Sequence, residues 1–150
     1  MRAIWDNEHV LLDQRVVADV DRSFWSERAR VVIEGVPWEF GKDGSERIGT
    51  IVGEPAARCR AARPSFWRQN WVIAIGPTTR YEIAPEGAFR RAYVVTRGGQ
   101  WIGSSSVGGF WSIKPTLDIA DDVPVADAVF LLWIAFLMRA RANQAASQAG

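Results

Sequence analysis

Nucleophiles, acid–base groups and metal ligands are scarce in this chain of 150 residues, and charge is unevenly spread. There is one histidine, His9, and one cysteine, Cys59. A lone histidine excludes His-pair and His-triad metal sites, and with a lone cysteine it leaves too few soft ligands for structural zinc. A Cys59–His9 nucleophile pair would need a catalytic setting that neither residue's neighbours supply. Ser104-Ser105-Ser106 lacks the G-x-S-x-G frame of an exposed nucleophilic serine. No phosphate-cradling loop or dinucleotide fingerprint is present. The chain therefore reads as a non-enzyme with no catalytic residue, no resident metal and no cofactor. Asp118, Asp121 and Asp122 gather before an apolar stretch. Calcium loops collect carboxylates in this way, but capping and complementing a helix dipole explain them more simply.

Positive charge is the remaining chemical asset. Net charge is +1, yet residues 1–54 hold eleven acids against seven bases, residues 55–117 two against nine, and residues 118–150 four against two, giving −4, +7 and −2. The basic middle is densest at residues 58–68, which contain Arg58, Arg60, Arg63 and Arg68. Arg58 and Arg60 project to one face if that segment is extended. Arginine forks suit phosphate oxygens, and Phe66, Trp67 and Trp71 are the residue types found at a lipid headgroup boundary. Arg80, Arg90 and Arg91, with Arg97, enlarge the patch if folding brings them alongside. The rival reading is a solvated strand face. Two flanking acidic segments argue against nucleic acid as the partner.

The element that must position these residues is the stretch 123–138. From 128 to 138, eleven consecutive residues carry no polar side chain except the Trp133 indole N–H. A helix apolar on every face has to be surrounded on every face. Asp121, Asp122, Pro124 and Asp127 provide start signals, and Arg139 and Arg141 provide stop signals, for a helix over residues 123–141. A membrane span needs about 20 apolar residues, whereas Asp127 and Arg139 bracket only these eleven. Burial in protein is the expected fate. Residues 143–150 are small and polar and are expected to be a disordered tail, leaving one domain over residues 1–142.

Upstream the pattern is of short extended segments. Residues 9–20 read as a hairpin turning near Asp13-Gln14 or one bent strand; residues 30–34 and 36–40 look extended; Asp43-Gly44 is the strongest hairpin turn. Ser23-Phe24-Trp25 reads as a corner and recurs as Ser65-Phe66-Trp67. Trp38 precedes Ile48-Gly49, and Tyr93 precedes Ile102-Gly103, with a glycine turn between each time. Residues 110–113 and 116–119 would be the last strands. Glycines at 49, 53, 103, 108 and 109 suggest bulges or close backbone approaches. Repeated strand, turn and strand suits a closed sheet, which removes exposed edges.

These hairpins, the segment Trp111-Ser112-Ile113-Lys114-Pro115-Thr116-Leu117-Asp118 and the apolar C-terminal helix together resemble the Tubby C-terminal-like superfamily. That group includes Tubby domains, LURP-one-related proteins and phospholipid scramblases. The resemblance implies a closed antiparallel β-barrel of about twelve strands threaded by the hydrophobic helix. It also implies phosphoinositide recognition through basic residues, without a one-by-one match of those positions to residues of this chain. The chain lacks the cysteine cluster and Pro-rich arm of scramblases.

The expectation is a non-catalytic intracellular module, because one cysteine permits no internal disulfide and the charged start has no apolar signal core. Its expected partner is an anionic membrane surface or a phosphorylated protein met through the arginines. Two alternatives stand beside it: a barrel carrier of a small apolar ligand, and an interaction scaffold with no small ligand. A carrier requires that the helix leave the lumen free.

Overall fold

A computed structural model of the chain describes residues 1–21, 27–65, 68–86, 92–106 and 114–149. In chain order the elements are β1 (Arg2–Asp6), β2 (His9–Leu12), β3 (Arg15–Val20), β4 (Ala29–Ile33), β5 (Val36–Asp43) and β6 (Glu46–Ile51). There follow β7 (Cys59–Ala62), β8 (Trp71–Ile75), β9 (Thr79–Glu86), β10 (Ala92–Arg97), β11 (Gln100–Ser106), β12 (Thr116–Ile119) and α1 (Val125–Ala149). Each strand pairs antiparallel with its sequence neighbours, and β1 pairs with β12 through Arg2 opposite Asp118 and Ala3 opposite Leu117. The result is a closed twelve-strand barrel with one C-terminal helix.

Alternation makes the wall. In β4, Ala29, Val31 and Ile33 are buried while Arg30 and Val32 face out, the two-residue period of a half-buried strand. Two non-glycine residues make the β2–β3 turn, Asp13 at φ 48° and Gln14 at φ 70°. The Asp13 carboxylate accepts the Arg2 backbone N–H at 2.8 Å, which holds this strained turn against β1. Gly103 is required by contact, since a Cβ there would lie 2.1 Å from the Asp118 carbonyl oxygen. Gly49 leaves room for the rings of Phe40 and Phe130.

The helix runs through the ring. Residues 128–135 are at most 3% exposed, so the apolar faces are covered all the way round. Phe130 and Trp133 meet Phe40 of β5, both with centroids 5.2 Å apart; Phe136 meets Trp5 of β1 at 5.3 Å; and Asp127 meets Tyr81 of β9. Contacts on these separated strands place α1 inside the barrel. No helix of the described residues is long and apolar enough to cross a membrane.

One sequence expectation about the fold needs correction, and three lie outside the described residues. Residues 143–149, expected as a disordered tail, continue α1 to Ala149. The reason is propensity rather than burial: the alanines and glutamines of this stretch favour helix without needing a core. The corner at Ser23-Phe24-Trp25, the strand at 110–113 and the glycines at 108 and 109 lie outside the described residues.

Because strand direction alternates, odd-numbered strands finish where even-numbered strands begin. One end, here the turn end, carries the turns after β2, β4 and β10 and the start of α1. The other, the exit end, carries the Gly44 turn between β5 and β6 and the C-terminal half of α1.

Candidate functional site

The residues capable of chemistry are scattered by the fold. His9 stands exposed on β2, its Nδ1 2.8 Å from Asp19 of β3, while Cys59 is buried in β7, five strands further round the ring. Burial, reinforced by the Asp127 charge, pushes the Cys59 thiol up to about 12, far from thiolate chemistry at neutral pH. Ser105 points inward and donates to the Thr116 carbonyl at 2.7 Å. The three acids before α1 each take a different cation: Asp118 takes Arg2 at 2.8 Å, Asp121 the Met1 ammonium at 2.7 Å, and Asp122 takes Arg97 at 2.8 Å. Among the described residues no group of three or more ligands could hold a metal.

At the turn end a polar group is built into the core. The Tyr81 hydroxyl donates to Asp127 across 2.8 Å, and both residues are buried. Burial pushes the Asp127 carboxyl above the usual carboxylate range, against the opposing pull of the Tyr81 hydrogen bond and Arg97. Burial and the same carboxylate push the Tyr81 phenol upward. This pair anchors the first turn of α1 to the wall, where a carboxylate complements the helix dipole.

The arginines of the middle segment lie along the outer wall. Arg58 and Arg60 both face out, on either side of buried Cys59, as alternation requires. They are not bare charges. Arg58 pairs with Glu54 at 2.9 Å, and Arg60 pairs with Asp43 at 3.1 Å and with Glu46. Registers place Arg60 opposite Ala74, and Ala74 opposite Arg80. The two arginines thus flank a methyl group in one outward row, about 10 Å apart at two strand spacings. Arg63 and Arg68 are exposed in the connection between β7 and β8. Arg90, Arg91, Phe66 and Trp67 lie outside the described residues. Trp71, expected at a headgroup boundary, is instead an inward residue of β8, 3% exposed. The correction follows from the strand phase, in which Trp71 shares a face with buried Ile73.

Sequence reasoning missed the second basic group, at the exit end inside the ring. Arg47 of β6 is 1% exposed. Its Nη2 donates to Glu27 at 2.7 Å, and its Nη1 to the carbonyls of Ser45 and Glu46 at 3.3 and 3.2 Å. Lys42 and Arg141 approach the same Glu27 carboxylate at 3.1 and 3.5 Å. Burial pushes Glu27 upward, but the hydrogen bonds from Lys42 and Arg47 outweigh it and hold the carboxyl below its ordinary range. The guanidiniums of Arg47 and Arg141 lie 5.7 and 5.5 Å from the Trp71 ring centroid, within cation–π reach. Arg139, two residues before Arg141, has a buried Nη2 with no hydrogen-bond partner, and burial lowers its pKa. The available sequence signal was phase: Arg47 lies two residues from Gly49, whose place opposite Phe40 marks the inner row.

Among the described residues, the outer surface includes two grooves of note. The larger, about 650 Å³, runs beside Trp101, Gly103, Asp118 and Asp121; the smaller, about 440 Å³, lies over Arg28, Arg30 and Glu39. No family profile, curated protein or solved structure matches this chain.

Proposed function

We propose that the chain is a non-catalytic intracellular module of the Tubby C-terminal-like kind, which docks reversibly on anionic phospholipid headgroups through the basic face of β7 to β9. The observation that carries this is the outward row of Arg60, Ala74 and Arg80. Arg80 presents a phosphate-compatible fork with no bulky side chain between it and Arg60, whose guanidinium is shared with Asp43 and Glu46. Arg63 and Arg68 extend the charge toward the exit end. A carrier role finds no support in a lumen filled by α1.

The test is flotation of the full chain with phosphatidylcholine vesicles and with phosphatidylserine-containing vesicles, at low and high salt. Binding to anionic vesicles alone, lost at high salt, is the expected result, because exposed charge attraction is screened by ions. Arg60→Gln with Arg80→Gln should weaken it by roughly 25-fold, at about 1 kcal/mol for each basic residue near the surface. Salt-resistant binding to both vesicle types, or binding to neither, would sink the proposal.

A protein-partner reading has one observation in its favour. Trp101 is 67% exposed at the edge of the larger groove. Loss of a partner's binding in Trp101→Ala, with vesicle flotation unchanged, would favour that reading.

A further inference from the structure

The hairpin from Lys42 to Arg47 sorts its charges by face. Lys42 is paired with Arg47 and Asp43 with Glu46, and directly opposed residues share a face. The next inner pair is Phe40 with Gly49, packed on α1. Lys42 and Arg47 therefore belong to the inner row. Asp43 and Glu46 belong to the outer row, where they hold Arg60. Both cations of the hairpin turn into the barrel mouth and both carboxylates turn away from it.

An inward arginine in a barrel lined by apolar side chains is costly unless its donors are met. Glu27 meets Arg47 only in part. Three cations, Lys42, Arg47 and Arg141, converge on this one carboxylate and leave a local charge of +2 (three minus one). The buried Nε of Arg47 has no acceptor. A plain structural ion pair needs one cation for one carboxylate. Here there is a surplus of charge and a surplus donor, over an aromatic floor. Moreover, Glu27 belongs to no strand of the wall: it precedes β4 and is 43% exposed. A phosphate dianion, with tetrahedral oxygens and twice the charge, matches the three donors better than one carboxylate does.

We infer that the exit mouth of the barrel is a phosphate-binding site formed by Lys42, Arg47 and Arg141 over Trp71, with the Glu27 carboxylate as its intramolecular occupant. The ligand is a phosphate or phosphomonoester dianion, which binds by displacing Glu27. This site is separate from the outer arginine row and stands or falls independently of it.

The experiment compares thermal unfolding of the full chain, Glu27→Gln, and Glu27→Gln with Arg141→Gln, in sodium phosphate and in sodium chloride of matched ionic strength at neutral pH. In chloride, Glu27→Gln melts below the parent because Arg47 loses its counter-charge. Phosphate restores it, by about 4 °C when present at about twenty times its dissociation constant. The parent gains less, since Glu27 competes. Preferential exclusion of phosphate stabilises every variant equally, so the reading is the difference between the single and double variants. Equal phosphate shifts in the two would overturn the site.

Should Glu27→Gln not fold, phosphorus NMR line broadening of phosphate by the parent chain, lost in Arg141→Gln, is the substitute measurement. Equal broadening by both chains would overturn the site in the same way. Phosphatidylcholine vesicles with a minor fraction of phosphatidic acid distinguish the source. An Arg141-dependent gain in vesicle binding by Glu27→Gln assigns a lipid phosphomonoester, and a phosphate response without that gain assigns a soluble one. Failure of the parent chain on phosphatidylserine vesicles would sink only the outer-face proposal.

Discussion

The two ends of the barrel handle charge differently. At the turn end four of the described cations each have their own acid: Met1 with Asp121, Arg2 with Asp118, Arg97 with Asp122, and Arg58 with Glu54. At the exit end Lys42, Arg47 and Arg141 share Glu27, and Arg139 buries an unpartnered nitrogen. One-to-one pairing on an exposed surface contributes little net energy but leaves no field to exploit. Unequal pairing in a partly buried mouth costs stability and leaves a field that an incoming anion can use. The difference separates an end whose cations are matched one by one from an end that gathers three cations on one carboxylate.

The largest test of that contrast concerns α1 itself. Eight of its large side chains, Val129, Phe130, Leu131, Leu132, Trp133, Ile134, Leu137 and Met138, are buried. At about 1.5–3 kcal/mol each their burial amounts to about 12–24 kcal/mol as an upper estimate, against a typical domain stability of about 5–15 kcal/mol. Deleting the chain from Val125 onward should abolish cooperative thermal unfolding, whereas deleting it from Ala142 onward should move the melting temperature only slightly. Equal loss from both truncations would show that the exposed turns matter as much as the threaded ones.

A smaller effect separates the ends by pH. Asp127 has a folded pKa raised above its unfolded value, so its contribution to stability is full below the unfolded carboxylate pKa and is lost as pH rises through the folded one. Glu27 has a lowered folded pKa, so its contribution is present above the unfolded pKa and is lost as pH falls through the folded one. Urea unfolding from about pH 3 to 7 should therefore show opposite changes. Asp127→Asn should steepen the loss of stability toward acid, and Glu27→Gln should reduce it. The same slope in both variants would break the assigned contrast.

Much of the architecture was legible because its signals are local. The all-round apolar run fixed the need for a surrounding wall, and turn residues such as Asp43-Gly44 placed hairpins. Close approach accounts for Gly49 and Gly103. The exit-end cluster was not legible because its members come from four separate places in the chain. Arg47 looks like any surface arginine until β5 pairing sets its phase, and Glu27 lies twenty residues away from it. Trp71 was misplaced for the same reason. The last turns of α1 were missed because the expectation weighed burial and not alanine-rich propensity.

The smallest expected effect lies in the turn-end hairpin between β2 and β3. Gln14 adopts φ 70° without being glycine, a conformation that costs an L-residue about 1–2 kcal/mol. Gln14→Gly should raise stability by about 0.5–1 kcal/mol after the extra unfolded-state entropy of glycine is counted, seen as a higher urea midpoint with unchanged slope. Asp13→Ala should do the reverse, because it removes the acceptor for the Arg2 N–H.

The pairing of β1 with β12 carries a consequence in time. Arg2 finds its strand partner at Asp118, 116 positions later, and the side chains that occupy the ring come later still. During synthesis at the ribosome the nascent chain is an open sheet whose greasy face has neither its closing edge nor its filling. Contacts this distant in sequence also slow folding. Assembly must therefore wait until residues through Met138 have emerged, and until then the growing chain is a natural client for chaperones that cover exposed apolar strands.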